Sequence, residues 1–511
     1  MPDIVLCTLN AKYIHAAFGL RYLLANLGPL QSRARIIESD INQRPLEVAE
    51  ALLAQNPKII GFGIYIWNIA PTTEIIAILK QVRPEIIIVL GGPEVSYEAE
   101  GQAIVDLADY VIQGEADLAF GQLCEELLSG RRPSAKIIVA RFPTFSELML
   151  PYPLYDEQDI AHRIIYVEAS RGCPFSCEFC LSSLEVPVRQ APLSDLLEHM
   201  QRLLDRGVKQ FKFVDRTFNL DLNFSRAILE FFLERCAPGC FFHFELIPDR
   251  LPAGLREVIA KFPPGTLQFE IGVQTLNEAV GRLIQRRQDY QRLEANLRFL
   301  RTQTGAHVHA DLIAGLPGET LESFASGFDR LLSLDPQEIQ VGILKRLHGV
   351  AIVRHNAKWQ MTYNPHPPYE ILQNKLIGFA EMQKLRRFAR YWDLVRNSGN
   401  FVETAPLIWS NAASPFEAFM RWSVWLHARV GRTDRIALAR LMELLFDYLS
   451  GELKLDPKRT AEVMWNDYRR GGRSDWPLFL KEFLPTETRA SRPASARSMI
   501  PKRQARHLAE D

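Results

Sequence analysis

Residues 168–183 read EASRGCPFSCEFCLSS, and three cysteines, Cys173, Cys177 and Cys180, fall within eight residues of it. Such crowding reads as a ligand arrangement rather than as core packing. The other four of the seven cysteines, Cys7, Cys124, Cys236 and Cys240, lie in or beside apolar segments, where a thiol acts as a small hydrophobe. An odd total with no visible secretory signal argues against a disulfide framework. Three close thiolates fit two kinds of metal site. A Cys3His zinc site needs a paired histidine, and the nearest, His162 and His199, lack the spacing of zinc modules. An iron–sulfur cube prefers thiolates and normally takes four. Three would leave one iron open to an exogenous ligand. Gly172 lets the chain wrap such a cube and Pro174 stiffens the loop.

Working outward, the cysteine stretch follows an apolar run, Ile164–Glu168, and opens a series of alternating strand and helix patterns over residues 164–350. Strands are expected at Ile164–Glu168, Gln210–Val214, Phe241–Leu246, Leu267–Val273, His307–Ile313 and Glu338–Ile343, with helices between them. Six βα units make a partial (β/α)6 barrel, two units short of a TIM barrel, with chemistry expected at the carboxyl ends of the strands. Residues 1–140 alternate in the same way and predict a separate doubly wound, flavodoxin-like parallel sheet. Its strand ends carry Asn10, Trp67-Asn68, Gly91-Gly92-Pro93-Glu94 and Gly114-Glu115, where ligands of such sheets bind. Gly91-Gly92 reads either as a tight turn or as a place where a flat ligand approaches the backbone. No GxGxxG follows the first strand, and no GxxxxGK[ST] occurs. Residues 141–163 read as a Pro- and Tyr-containing linker, residues 351–484 as a mostly helical domain holding most of the tryptophans, and residues 485–511 as a disordered tail.

The whole chain has 511 residues, 60 Lys+Arg against 60 Asp+Glu, and 47% hydrophobic residues, enough for about three domains with their own cores. Balanced charge argues against a nucleic-acid binder, and no apolar stretch reaches the roughly 18 residues of a membrane span. The expectation is a soluble cytoplasmic protein.

The run RGCPFSCEFC resembles the cluster loop of the radical S-adenosylmethionine (SAM) superfamily, and the six-unit barrel is similar to that family's core. The resemblance implies that Cys173, Cys177 and Cys180 hold a 4Fe–4S cluster and that SAM chelates the open iron. One electron, from an external donor such as a flavodoxin or ferredoxin, then cleaves SAM to methionine and a 5′-deoxyadenosyl radical. Phe179 occupies the position that meets the adenine, or simply packs the loop. Asp215 and Arg216 end the second strand, where the family accepts the SAM ammonium; a helix cap or surface ion pair is the other reading. Glu270 and Gln274, in EIGVQ, match the ribose-contacting strand, unless they pair internally. His309, sharing a face with His307 and Asp311, borders the adenine or is a hydrogen-bonded core histidine. His243 and Glu245 face a substrate cavity, and Lys345, Arg346 and His348 meet an anionic substrate or form a solvated rim.

More loosely, residues 1–140 resemble the cobalamin-binding domain of class B members, through Asn10, the Gly19–Leu23 helix, the turn at Gly91, Gly92 and Glu94, and YVIQGE. There is no Asp-x-His-x-x-Gly to supply a lower axial histidine, and His15 lacks that context, so the domain either binds a corrin without that ligand or binds none. The resemblance implies a cobalamin-dependent radical SAM enzyme that methylates an unactivated carbon. Ring formation or rearrangement by the same radical is the alternative within the class. A non-catalytic iron–sulfur protein for electron transfer or redox sensing is the alternative outside it.

Overall fold

The computed structural model describes residues 1–185, 187–473, 477–484 and 501–508. Internal contacts divide the chain into two units, one of residues 1–216, 345–353 and 364–370, the other of residues 217–344, 354–363 and 371 onward.

The first unit begins with a strand whose seven residues are all buried, β1 (Ile4–Asn10). It is followed by β2 (Ala34–Asp40), β3 (Ile59–Gly63), β4 (Ile87–Gly91), β5 (Tyr110–Gln113) and β6 (Ile137–Val139), all parallel, in the order β2-β1-β3-β4-β5-β6. Helices cover both faces. One face packs Val5, Ile60, Ile88 and Val111 on the helices Pro45–Leu53 and Ile69–Val82. The other packs Ile4, Ile59, Val89 and Ile112 on Phe18–Ala25 and Ala119–Leu128. This is the expected doubly wound sheet, and its switch point lies between β1 and β3. Two short elements, β6 and the helix Ala103–Leu107, come in addition; three and five residues are too few to show a period.

The same unit holds β7 (Ile165–Val167), β8 (Ser170–Arg171), β9 (Arg189–Gln190) and β10 (Gln210–Phe213). β10 pairs parallel with β7, and β8 pairs antiparallel with β9. The stretch expected as a linker, residues 141–163, is instead built into this unit. It makes turns at Phe145–Glu147 and Tyr152–Leu154 and a helix, Glu157–His162, capped by Asp156. Its two buried tyrosines lie along β7. The Tyr152 hydroxyl donates to the Glu168 carbonyl and accepts from the Glu168 N–H, both at 3.1 Å. The Tyr155 hydroxyl does the same at Tyr166, at 3.0 and 3.1 Å. Two phenols thus take the place of a neighbouring strand on an edge that would otherwise leave its backbone groups unpaired. Asp159 accepts from Arg21 at 2.6 Å in a buried cluster with Glu38 and Arg163.

In the second unit β11 (Phe241–Leu246), β12 (Leu267–Gln274), β13 (His307–Ala314) and β14 (Glu338–Ile343) are parallel and pair in chain order. With β7 and β10 they make up the six expected barrel strands. Helices such as Leu321–Leu332 follow the strands. The helical region packs on that helix: Phe328 meets the rings of Phe388, Trp392 and Phe416 at 4.8–5.6 Å, and Asp329 accepts from the Phe416 N–H at 2.7 Å.

The expected disordered tail is corrected in part. Residues 485–500 and 509–511 lie outside the described residues, but Lys502–His507 is a helix docked within the second unit. Arg503 pairs with Glu338 and Asp393 at 2.7 Å, and Gln504 donates to Gln268 at 2.8 Å. Gln268 and Glu338 lie at strand starts, so this helix sits at the end of the strands opposite their carboxyl ends.

Candidate functional site

β8 and β9 form the neck of the loop that carries the three cysteines. Gly172, just past the neck, has φ +92°, and a Cβ there would lie 2.5 Å from the Glu185 carbonyl oxygen, so only glycine fits. The Cys173 N–H donates to that same carbonyl at 3.0 Å, and the Cys180 N–H to the Cys177 carbonyl at 3.1 Å. All three thiols are free of disulfides; Cys173 and Cys177 are buried and Cys180 is half-buried. Pro174, Phe175 and Ser176 form the exposed edge of the loop, and Phe179 is partly buried. Among the described residues no three or more His, Cys, Asp or Glu side chains converge as on a single metal ion. A four-iron cube takes its thiolates one per corner. Three thiols on one wrapped loop are the donor set for such a cube.

Asp215, at the end of β10, lies behind this loop. Its Oδ2 accepts from the Ala169 N–H at 2.9 Å and its Oδ1 from the Ser170 hydroxyl at 2.6 Å. The side chain expected to receive an ammonium is therefore engaged in holding the strand that leads into Gly172. Burial raises its carboxyl to about 7, against those hydrogen bonds.

A cavity of about 540 Å³ connects this loop to the first sheet. One wall comes from the strand ends: Tyr65 and Trp67 after β3, Gly91 and Gly92 at β4, and Gly114 to Asp117 after β5. The other comes from Glu168, Arg171, Gly172, Leu181, Ser182 and Arg216. Tyr65 and Trp67 stack with centroids 4.5 Å apart and planes 7° apart. Gly92 has φ +103°, and a Cβ there would lie 2.5 Å from the Ile64 carbonyl oxygen, so the turn must be glycine and also leaves a bare wall. No histidine is among the lining residues, and His15 shares a 2.6 Å hydrogen bond with the Tyr166 hydroxyl. A glycine wall and a stacked aromatic pair are what would border a flat ring system such as a corrin.

Two other residues expected at this site are elsewhere. Asn10 donates to the His15 carbonyl at 2.8 Å and to Glu38 at 3.1 Å, closing the end of β1. Glu94 is buried and accepts from the Tyr369 hydroxyl at 2.6 Å, with His348 Nδ1 3.6 Å away; burial raises its carboxyl. Of the three basic residues after the last strand, Arg346 and His348 are likewise engaged by acids of the first sheet. Arg346 pairs with Glu98 at 2.6 Å and His348 meets the Glu94 carbonyl at 3.1 Å, while Lys345 is exposed and joins Glu370 only through a backbone β-bridge.

Sequence reasoning passed over the charges that join the two walls. Arg171 reaches Glu115 at 3.0 Å, Asp117 at 2.8 Å and Glu168 at 2.9 Å, and its guanidinium lies 4.4 Å from the centre of the Tyr22 ring. Arg189, its neighbour across the neck, also binds Glu115 and the Pro143 carbonyl. An arginine beside the glycine of the loop and an acid ending a buried strand were the available signals.

In the second unit the inward row is polar, as alternation predicts. Glu245, Glu270, His309 and Glu338 stand side by side across β11 to β14. Glu270 pairs with His243 at 3.1 Å. His309 lies 3.3 Å from Asp311, close enough for an ion pair but not aligned as a hydrogen bond. Burial opposes its charge, yet Asp311, Glu338 and Glu270 hold the imidazole up to about 9. Gln274 breaks the alternation: the register shifts there, its φ is +68°, and its amide folds back over Gly272. Glu319, in the LPGET turn, accepts from Thr275 at 2.6 Å and is raised by burial to about 7.

Residues 4–124 match the family described as B12 binding domain and residues 167–331 the Radical SAM superfamily. Residues 357–507 match a family described as Protein of unknown function (DUF4080). An uncharacterized methyltransferase of Pyrococcus horikoshii is 27% identical over 206 residues, 36% of this chain and 44% of its own. The cobalamin-dependent radical SAM methyltransferase TokK of Streptomyces tokunonensis is 24% identical over 351 residues, 58% of this chain and 48% of its own. The chain thus spans under half the length of these relatives. The structure of the radical SAM methyltransferase TsrM from Kitasatospora setae, with cobalamin and a [4Fe-4S] cluster bound, superposes with a TM-score of 0.60 at 14% identity, over 93% of this chain and all of that one.

Proposed function

We propose that this chain, which carries a B12-binding domain followed by a radical SAM domain, is a cobalamin-dependent radical SAM methyltransferase acting on an unactivated carbon. The observation that carries the reading is a cavity walled on one side by strand ends of the first sheet and on the other by Gly172, Leu181, Ser182 and Glu185, which flank Cys173, Cys177 and Cys180 in the loop. When bound, the cluster supplies the electron that cleaves SAM and the corrin carries a methyl group, so the difficult chemistry belongs to the cofactors.

The residues of the chain bind, orient and shield. Cys173, Cys177 and Cys180 hold the cluster, and Gly172 gives the loop the turn it needs. Asp215 anchors the strand before it. Tyr65, Trp67, Gly91 and Gly92 border the corrin. Arg216, Phe179, Glu270, Gln274 and His309 remain the candidates for SAM, with the charged imidazole of His309 as a hydrogen-bond donor. The exposed edge Pro174–Ser176 is where an external one-electron donor such as a flavodoxin or ferredoxin would approach. Among the described residues no helix is long and apolar enough to cross a membrane.

Anaerobic reconstitution with iron, sulfide, SAM and hydroxocobalamin tests the reading. Uptake of four irons and one corrin, with 5′-deoxyadenosine released on reduction, is expected. Cys177→Ala should lose cluster and release together. Release without corrin uptake would remove the methyl carrier and leave ring formation or rearrangement.

A further inference from the structure

The loop of three cysteines has a narrow neck, the two-residue pairing of β8 with β9, and each strand of that neck presents an arginine to one carboxylate. Glu115 accepts from Arg171 Nη1 and Arg189 Nη1, each at 3.0 Å, and from Arg189 Nη2 as well. All three side chains are at most 14% exposed. Glu115 belongs to the turn after β5, on the sheet side of the cavity, while both arginines belong to the loop side. Asp117 and Glu168 add two more carboxylates to Arg171, one from each side.

Charge-assisted hydrogen bonds of this kind are strong and directional, and the planar guanidinium fixes orientation as well as distance. No other function is needed of these groups by the binding roles given above: none is a thiol, and none is a polar group left without partners.

We propose that Glu115, clamped by Arg171 and Arg189, is a positioning residue that sets the separation between the corrin wall and the cluster loop across the cavity. The inference rests on the reading that both cofactors bind in that cavity. In a transfer between two bound groups, a displacement of the order of 1 Å costs about a hundredfold in rate, so a rigid connection between the two walls is what such chemistry requires.

The test uses Glu115→Gln, which leaves Arg171 its other two carboxylates, and, as the milder change that leaves Arg171 all three, Arg189→Gln. In the full-length protein without cofactors, amide hydrogen exchange is followed across residues 173–185 and, as an internal reference, across β1 and β3. Loss of a buried charge-assisted bond should speed exchange in the loop by about ten- to a hundredfold and leave the reference strands unchanged. In protein loaded with both cofactors, the electron paramagnetic resonance of the reduced cluster and of cob(II)alamin is then recorded. Wild type should show a magnetic interaction between the two centres, and both variants should show it weakened at unchanged iron and corrin content. Faster exchange with an unaltered interaction would make the clamp merely structural and overturn the proposal, as would unaltered exchange. Should wild type take up no corrin, the functional reading fails on its own while the exchange arm still judges the clamp.

Discussion

Replacing Asp215 separates two roles that a buried carboxylate at this position can play. The structure gives its oxygens two donors, the Ala169 N–H at 2.9 Å and the Ser170 hydroxyl at 2.6 Å. Above about pH 7, where this carboxyl is ionised, each bond to it is worth about 1.5–3 kcal/mol, and Asp215→Ala also leaves the Ala169 N–H buried without a partner. A loss of at least about 3 kcal/mol follows, or roughly a hundredfold in the local opening equilibrium. Asp215→Asn is different. Its carbonyl can accept from Ala169 while its amide donates to the Ser170 oxygen, so both contacts survive and the change should stay within about threefold. Exchange at the Ala169 amide is the appropriate measurement, because a chain of this size does not unfold in one step. Iron content after anaerobic reconstitution should fall with Ala and hold with Asn. Equal damage from both would refute the reasoning and show that the negative charge itself, and not the pair of hydrogen bonds, is what the site needs.

Asp215 also predicts a pH dependence. Its carboxyl is raised from 3.8 to about 7 in the fold, so its contribution to stability is fullest below about pH 4 and is lost as pH rises through 7; Asp215→Asn should flatten that limb in a thermal-unfolding series. Gly172→Ala drives a methyl into the Glu185 carbonyl at 2.5 Å and should abolish cluster incorporation while leaving the first sheet's circular dichroism intact. Glu338 is held at about 2, against its burial, by His307, His309 and Arg503. Its stabilisation is present above about pH 4.5 and lost on acidification, so removing residues 501–511, and Arg503 with them, should move acid unfolding to higher pH; an unmoved transition would count against the pairing.

What could be read from the sequence was what repeats or crowds. Apolar runs and alternation located all six barrel strands and the five main strands of the first sheet, most plainly β1, whose seven residues are all buried, and least so β2, which is only partly buried. The cysteine triplet was legible because spacing alone carries ligand chemistry. Asn10 and Glu94 were misplaced for a definite reason. A polar residue at a strand end does not tell which way it turns, and the groups that meet Glu94, Tyr369 and His348, are more than 250 positions away. Residues 141–163 read as a spacer because prolines and isolated tyrosines have no period, yet their meaning lies in hydroxyl contacts with β7.

That pair of phenols has a consequence for recombination between related proteins. Because Tyr152 and Tyr155 complete the margin of the barrel, a crossover placed between Tyr155 and β7 would strip β7 of its own cover and expose a sticky strand to other chains. A graft of the N-terminal module onto a foreign barrel is workable only if the recipient keeps its own equivalent of these side chains, which places the natural cut site close to residue 141 only when residues 141–163 travel with the barrel.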